Sequence, residues 1–474
     1  MAFRRIRDNS FYCFLAGCAI TSVYFLCVSY STSSQLQLRN YSNLSKHYSQ
    51  ICNQWKSELE MRHTKNIANV TNDENTYYDE EETKNLLDDY FTCDSIPKYK
   101  YIVQRGQYYA IFNFVQAEKE VGCTETITLT APGDYRFLDN VAPLVERWRG
   151  PVSIALYAPG HDFYTTLQAI AYVRQCENRL IKDLVSFHVF FDINHVPIPR
   201  NETHILDTYT DTYNCSIPPP WETLTDLDMY KTNNSLLYPI NTARNIAKLA
   251  ARTYFQFPSD IELYPTRNFI QLFLNFVKNN LNLFGQDSKN VFVLPIFEIF
   301  EDQAVPENKT ALQKMLKSNT AILFHQKMCA LCHRVINGEN WVLANETKGL
   351  GVFSVGKRQG RYMVWEPFFI CTQKEPLWDE RMTWEGQKNK MIQAYTMCIM
   401  DYNFYVLDNA FLIHKPGIKK EKLQMTKFKN EVKKSNQLIV DISVELQRMY
   451  GENKNCSTSY KGKIVKVKVK KSIL

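Results

Sequence analysis

Two acidic residues one position apart, Asp260 and Glu262, follow an apolar run and precede a proline. The run, Tyr254 to Phe257, predicts a short buried strand, so both carboxylates lie where a strand stops. In open α/β sheets, ligands bind outside the carboxyl ends of the strands. Carboxylate oxygens suit a hard divalent ion such as Mn²⁺ or Mg²⁺, which also coordinates phosphates. The pair predicts a metal–diphosphate site, although acid-x-acid triplets also occur in exposed turns.

The segments that would position this pair alternate between strand and helix patterns. The helix Phe163 to Cys176 lies between two nearly continuous apolar strands, Pro151 to Tyr157 and Val185 to Phe191. This order predicts an α/β fold with a mixed, largely parallel central sheet covered on both faces. Further predicted elements are strand Thr124 to Thr130, helix Leu138 to Trp148, helix Asn268 to Lys278 capped by Thr266, and strand Asn290 to Glu298. No glycine-rich phosphate motif occurs, so metal and side chains would have to hold phosphates.

A helix predicted from Pro239 to Ala250 leads into the strand before Asp260. Asn241, Arg244 and Asn245 are three and four positions apart, so they share one face of this helix. A guanidinium binds a phosphate or a sugar carboxylate through two parallel hydrogen bonds. The three side chains are candidate donor-binding residues, and a solvated helix face is the alternative.

The first thirty residues have the pattern of a membrane anchor. Phe11 to Tyr30 contains twenty residues without a charge, after the basic residues Arg4, Arg5 and Arg7. A helix of that length spans a hydrocarbon core of about 30 Å. The preceding basic flank predicts a cytosolic N-terminus and a luminal remainder. A cleaved signal peptide is the alternative.

Composition indicates a luminal compartment and argues against one class of partner. The 474 residues carry 56 basic and 49 acidic side chains, without a basic face interleaved with aromatics, which argues against a nucleic-acid partner. Nine N-x-Ser/Thr sequons and ten cysteines outside the membrane run suit an oxidising lumen, and several disulfides are expected. Cys329-Ala-Leu-Cys332-His333 matches a haem-attachment pattern, but a disulfide-closed loop fits better; a zinc site with His325 is a further alternative.

Several separated blocks together resemble family 49 of the glycosyltransferases. The resemblance spans roughly Cys93 to Lys420, and the blocks occur in the family's order. They are Pro151-Val-Ser-Ile-Ala-Leu, Phe187-His-Val-Phe-Phe, Tyr238-Pro-Ile-Asn-Thr-Ala-Arg-Asn245, Asp260-Ile-Glu262, Pro295-Ile-Phe-Glu298, Trp365-Glu-Pro-Phe, Pro376-Leu-Trp-Asp-Glu-Arg381 and Val406-Leu-Asp-Asn-Ala-Phe-Leu-Ile-His414-Lys-Pro.

The resemblance implies a GT-A-type nucleotide-sugar-binding fold and an inverting transfer of glucuronic acid from UDP-glucuronate to a glycan on glycoproteins. It implies Mn²⁺, with Mg²⁺ as the alternative ion, held by Asp260, Glu262 and His414; a lone histidine is otherwise more often structural. Inversion requires one general base, for which Asp379 and Glu380 are the candidates. Either acid can instead pair with Arg381.

The same resemblance implies the remaining site residues and the domain limits. Asn241, Arg244, Asn245 and Asp260 are expected to bind the donor, and Trp365, Glu366 and Trp384 the acceptor, although tryptophans also serve as core residues. The expected arrangement is a cytosolic tail 1–10, a transmembrane anchor 11–30, a stem 31–90, a catalytic domain 91–420 and a helical, basic extension 421–474. This describes a single-pass type II protein of the Golgi membrane, for which a homodimer stays open.

The chain departs from the family pattern in two places. Glu262 stands where aspartate is usual, and Trp384 to Lys390 replaces a Tyr-Gly-aromatic-Asn/Asp stretch with a segment one residue longer. The second departure lies near the expected acceptor side. Two alternatives therefore stay open: an N-acetylglucosaminyltransferase on the same fold, and a non-catalytic luminal glycan-binding protein.

Overall fold

The computed structural model describes residues 80–199, 204–285, 287–329, 331–386, 388–415 and 428–459. The predicted tail 1–10, the membrane run 11–30, the stem up to residue 79 and the basic end 461–471 lie outside these stretches. Within them, no helix is both long and apolar enough to cross a bilayer.

The strands of the described residues form three sheets. They are β1 Tyr101–Arg105, β2 Tyr108–Val115, β3 Ile127–Gly133, β4 Val152–Tyr157, β5 Val185–Asp192, β6 Phe255–Pro258, β7 Leu263–Pro265, β8 Asn290–Val293, β9 Ile296–Ile299, β10 Ala321–Leu323, β11 Val352–Gly356, β12 Phe369–Ile370, β13 Asn403–Leu407 and β14 Leu412–His414. The largest sheet has the order β1-β2-β5-β4-β3-β6. Its last four strands are parallel, and β1 and β2 are antiparallel. This confirms the expected mixed α/β architecture with parallel strands.

Helices cover this sheet and extend beyond it. They are α1 Glu80–Tyr90, α2 Val141–Trp148, α3 Asp162–Cys176, α4 Arg179–Leu184, α5 Pro220–Thr223, α6 Tyr230–Asn233, α7 Ile240–Ala250, α8 Phe269–Asn279, α9 Lys309–Lys317, α10 Gly338–Leu343, α11 Met391–Ile399 and α12 Lys429–Tyr450. Short 3₁₀ turns lie at Tyr135–Asn140, Ile205–Asp207, Asp226–Asp228, Leu281–Leu283 and Gly360–Tyr362.

Burial on both faces explains why the strands read as continuous apolar runs. Ile154 and Leu156 of β4 pack in the main core with residues of α2, α3 and α8. Ala155 and Tyr157, on the other face of the same strand, pack against α7. A strand covered on both sides needs apolar residues at every position rather than at alternate ones.

Two smaller sheets carry the rest of the domain. Their orders are β10-β9-β14-β7 and β11-β13-β8-β12. Strand β6 belongs to the large sheet and β7 to one of the small sheets, so residues 259–262 connect two sheets. The acid-x-acid pair therefore lies at a sheet junction, and its two carboxylates can face different elements.

Three local predictions are corrected. The strand expected from Asn290 to Glu298 is two strands, β8 and β9, in different sheets; Pro295, which cannot donate a ladder hydrogen bond, lies between them. Thr266 does not cap α8, because its hydroxyl bonds the backbone of Phe411. The strand expected from Thr124 to Thr130 begins three residues later, since β3 runs from Ile127 to Gly133, and it is buried throughout.

Disulfides tie several segments together. Within the described residues they join Cys93 to Cys123, Cys176 to Cys215, Cys329 to Cys332 and Cys398 to Cys456, while Cys371 is a buried free thiol. The expected disulfide-closed loop at Cys329 is therefore present, and Cys52 lies outside the description. The last disulfide fastens the end of α12 to α11, where both helices share a small apolar core.

His188 of β5 connects the large sheet to α7 through a buried polar chain. The backbone N–H of Asn113 donates to Nδ1 at 2.8 Å, and Nε2 lies 3.0 Å from the hydroxyl of Ser153, which donates to the carbonyl of Ala247 at 2.8 Å. Burial lowers the pKa of His188 to about 3. The imidazole is therefore neutral in the folded protein at physiological pH.

We expect this histidine to make folding stability depend on pH. Its ordinary pKa is 6.5, so the stabilisation is complete above pH 6.5 and is lost as the pH falls from 6.5 towards 3. The slope is about 1.4 kcal/mol per pH unit. Urea unfolding at several pH values should show a flatter dependence for His188→Gln, whereas His161→Gln, at an exposed position, keeps the wild-type slope. Equal slopes for His188→Gln and the wild type would contradict this.

Candidate functional site

The carboxylate of Asp260 is held between two cations at the carboxyl edge of the parallel strands. Oδ1 accepts from Arg244 Nη2 at 3.2 Å, and Oδ2 accepts from Lys390 Nζ at 2.9 Å. Burial acts to raise the pKa of Asp260, but Lys390 and Arg244 together hold it well below its usual value. Asp260 is therefore ionised, and the site combines one anion with two cations in a sheltered place.

Lys390 is the site residue that the sequence reasoning did not identify. Burial lowers its pKa to about 8, although Asp260 acts in the opposite direction, and its ammonium lies 3.6 Å from the centre of the Phe368 ring. The signal that could have found it is its position. It immediately precedes α11, whose nine residues are all buried, so a charged side chain there must have an internal partner.

The predicted face of α7 faces the segment that leads to Lys390. The Asn241 amide donates to the carbonyls of Asp379 at 3.0 Å and Asn389 at 2.9 Å. Nη1 of Arg244 donates to the side-chain oxygens of Asn389 at 2.7 Å and Asn241 at 3.0 Å. The structure thus joins Asn241, Arg244 and Asp260 in one hydrogen-bond network. Many of their donor and acceptor atoms are already bonded to other groups of the protein.

Asn245 holds the same segment one turn further along. It exchanges two hydrogen bonds with the backbone of Trp378, at 2.8 and 3.0 Å, and donates to Glu380 Oε1 at 2.8 Å. Its amide group therefore positions residues 378–380. Donor contact by Asn245 stays a prediction.

Both candidate general bases are paired with arginines. Asp379 forms a bidentate pair with Arg381, with oxygen–nitrogen distances of 3.0 and 2.8 Å, and Arg381 also binds Glu445 of α12. Glu380 pairs with Arg105 of β1 as well as with Asn245. Both oxygens of Asp379 are bonded to Arg381, so Asp379 would have to exchange this partner before it could accept a proton. The contacts of Glu380 with Arg105 and Asn245 are both made by Oε1.

Strand pairing brings Glu262 and His414 together across 152 positions of sequence. His414 of β14 pairs with Leu263 of β7, next to Glu262, and its Nε2 lies 3.1 Å from Glu262 Oε1. The imidazole is buried, and its Nδ1 has no hydrogen-bond partner. A carboxylate and an imidazole in contact supply two of the three ligands of the predicted metal site.

The full predicted metal triad is not assembled. In the part of the chain that the structure describes, no three His, Cys, Asp or Glu side chains are grouped so that they could hold a metal ion. Asp260 is paired with Arg244 and Lys390 instead. The donor types fit a hard divalent cation, and Asp260 would have to exchange Lys390 for that ion to complete the set.

The two tryptophans predicted to contact the acceptor lie in the protein interior. Trp365 is 0% exposed, with its ring centre 5.3 Å from that of Phe404. Trp384 is 4% exposed and packs near Phe428. This corrects the prediction that they stack on a sugar, because neither indole has a free face. Glu366, the third predicted acceptor residue, has a buried Oε1 without a hydrogen-bond partner.

The comparisons with known proteins agree with this arrangement. Residues 126–451 match the family model described as "Glycosyl-transferase for dystroglycan". The match covers more than half of the chain, so the protein belongs to family 49 of the glycosyltransferases, as the sequence blocks indicated.

The chain is similar to two kinds of curated relative. Beta-1,4-glucuronyltransferase 1 of Danio rerio is 28% identical over 283 residues, 59% of this chain and 63% of the relative, and its Homo sapiens counterpart is 25% identical over 58% and 64%. Xylosyl- and glucuronyltransferase LARGE1 of Homo sapiens is 23% identical over 73% of this chain and 37% of the relative. The chain thus spans less than two thirds of the length of these relatives.

Gly386 tests how strictly the segment before Lys390 is packed. A Cβ at this position would lie 2.1 Å from Cζ2 of Trp384, whereas a Cβ at Gly285 would meet nothing within 4 Å. We expect Gly386→Ala to displace the indole and to lower the free energy of unfolding by about 1–3 kcal/mol. Gly285→Ala should change it by less than about 0.5 kcal/mol. Equal urea midpoints for the two variants would contradict this packing.

Proposed function

We propose that the protein is an inverting glycosyltransferase with a GT-A-type fold, which transfers glucuronic acid from UDP-glucuronate to a glycan on glycoproteins. One observation carries the proposal: Asp260 lies between Arg244 and Lys390 at the carboxyl edge of the parallel strands, where α/β folds bind nucleotides. Membership of the family and the printed names of the relatives support it. The family description names dystroglycan, so a dystroglycan-type glycan is the first acceptor to test.

The charges of the site suit this donor. UDP-glucuronate carries a diphosphate and a carboxylate, and a sheltered pair of cations binds such groups more strongly than exposed cations do. Arg244 is 5% exposed and already bonded to Asn241, Asn389 and Asp260. Lys390 is the more available cation, because its side chain is 13% exposed and its ammonium pairs with the carboxylate of Asp260. We assign Lys390 to the donor alongside Arg244.

A divalent ion, Mn²⁺ or Mg²⁺, would be held by Asp260, Glu262 and His414. When bound, such an ion supplies Lewis-acid stabilisation of the charge on the departing UDP. The contact between Glu262 and His414 supports the assignment, since two of the three ligands already face each other. With Asp260 serving as a metal ligand, Lys390 would be left to bind an anionic group of the donor.

The residues of the chain divide the remaining work. Inversion proceeds by a single displacement, in which the acceptor oxygen bonds to the anomeric carbon while the bond to UDP breaks. Either Glu380, or Asp379 after exchange with Arg381, accepts the proton of the acceptor hydroxyl. The amides of Asn241 and Asn245 fix the backbone that carries these acids.

The proposal extends to topology. Residues 11–30 would anchor a single-pass type II protein in the Golgi membrane, with residues 31–90 as a stem and 91–420 as the luminal catalytic domain. The nine sequons and the disulfides are consistent with that compartment. The proposal does not fix the oligomeric state, and a homodimer is one state to be measured.

Two other functions stay open. The segment Trp384 to Lys390 departs from the family pattern, so UDP-N-acetylglucosamine stays open as the donor on the same fold. A protein that binds a glycan without turnover is the second alternative. A binding protein needs no general base. This alternative would therefore account for the pairing of Asp379 and Glu380 with arginines and of Asp260 with cations.

We expect the purified protein to release UDP from UDP-glucuronate when Mn²⁺ and a suitable glycan are present. Asp260→Asn removes the central charge and should lower the rate about 10²- to 10³-fold. Asp441→Asn, at an exposed position on α12, should leave the rate unchanged. Faster release from UDP-N-acetylglucosamine would favour the first alternative. Glycan binding without UDP release from any donor would favour the second.

Metal binding can be measured without turnover. Bound Mn²⁺ loses the electron paramagnetic resonance signal of the free ion, so titration gives its dissociation constant. We expect Glu262→Gln and His414→Gln each to weaken binding about 10- to 100-fold, because each removes one ligand. His161→Gln serves as the control. Unchanged affinity in both ligand variants would remove the metal from the proposal.

A further inference from the structure

The Cys329–Cys332 disulfide has no part in the proposed function. It links residues only three positions apart, whereas the other three disulfides in the described part of the chain close separations of 30, 39 and 58. The stabilisation that a disulfide gives by restricting the unfolded chain grows with loop length, so this one gives the least. Its main consequence must be local geometry.

Cys332 and the adjacent His333 bind both main-chain groups of Glu366, one through its backbone and the other through its side chain. The N–H of Glu366 donates to the carbonyl of Cys332 at 2.8 Å, and the Glu366 carbonyl lies 3.1 Å from Nδ1 of His333. A carbonyl only accepts, so Nδ1 carries the proton and donates it. His333 is buried, and burial lowers its pKa to about 3, which keeps the ring neutral and its tautomer fixed.

The strip that carries Glu366 borders the candidate site. Burial raises the pKa of Glu366, while the charges of Lys390 and Arg244 act in the opposite direction. Phe368, two residues further on, lies under the ammonium of Lys390, and its ring centre is 6.0 Å from that of His333. The strip from residue 365 to 368 therefore stands between the disulfide and the cations.

A buried carboxyl oxygen without a partner is rare, because leaving such an atom unsatisfied is costly. Oε1 of Glu366 is one of them. Asp379 and Glu380 by contrast are paired with arginines. Glu366 as a residue is partly exposed, so a rotation of its carboxyl would let the hydroxyl of a bound sugar donate to Oε1 and offset the cost of keeping this atom buried.

We propose that the Cys329–Cys332 disulfide and His333 are positioning residues, which hold Glu366 so that its carboxylate binds a hydroxyl of the acceptor sugar. The inference rests on the proposed function, because it presupposes an acceptor. It assigns a role to a disulfide that contributes little to global stability. It also makes Glu366 the acceptor contact in place of Trp365 and Trp384.

Hydrogen exchange tests the positioning without any activity. In the full chain, we expect Cys329→Ala/Cys332→Ala to increase exchange at the amide of Glu366, because its acceptor carbonyl is no longer held. Cys176→Ala/Cys215→Ala opens another partly exposed disulfide, for which no contact with the site residues is described, and should leave that amide protected. Unchanged protection in Cys329→Ala/Cys332→Ala, or equal loss in both variants, would overturn the proposal.

Kinetics then test the link to the acceptor. Opening the disulfide should raise KM for the acceptor about fivefold, the effect of one weakened hydrogen bond, with KM for the donor unchanged. His333→Ala should act in the same way, and His333→Asn, which keeps an N–H donor, should restore the acceptor KM. In a Glu366→Ala background, which lacks the acceptor oxygens, opening the disulfide should have no further effect.

The outcomes separate this inference from the proposed function. Equal changes in both KM values, or effects that multiply in the Glu366→Ala background, would show that the disulfide does not act through Glu366. If no acceptor supports transfer, the proposed function fails and Glu366 loses its acceptor role. Hydrogen exchange at Glu366 would still decide whether the disulfide holds it.

Discussion

The structure of the site depends on one partly buried charge arrangement, the carboxylate of Asp260 between Arg244 and Lys390. Removing three charges from water is costly, and the cost is offset only when the geometry provides close partners and further hydrogen bonds. Here the partners come from α7 and from the segment before α11. That requirement couples two distant parts of the chain to the sheet junction at residues 259–262.

The supports of this arrangement form a continuous series. Asn241 and Asn245 bind the backbone of residues 378–389, that segment leads into Lys390, and Lys390 binds Asp260. On the other side of the junction, β7 and β14 bring Glu262 to His414. The protein thus separates its acid pair, with Asp260 facing cations and Glu262 facing an imidazole. An incoming metal ion with an anionic donor would have to join the two halves.

Elements with a strong local hydrophobic pattern could be predicted from the sequence. Contacts that depend on the register of distant strands could not be predicted from local patterns. Strands β4, β5 and β6 were visible because burial on both faces leaves an unbroken apolar run, and Asp260 was visible because it ends one. The pairing of Glu262 with His414 depends on strand register across the chain, so only the resemblance suggested it. Lys390 stood in the segment that departs from the family pattern. Trp365 could not be placed, because a buried indole and a sugar-stacking indole have the same sequence signal.

The most direct test of the account is anomalous diffraction from crystals of the protein soaked with Mn²⁺ and UDP. The account predicts an anomalous peak about 2.0–2.6 Å from carboxylate oxygens of Asp260 and Glu262, beside His414. It also predicts that Lys390 has left Asp260 for an oxygen of the diphosphate. An intact pair between Lys390 and Asp260, with no manganese peak at the junction and UDP bound elsewhere, would contradict it.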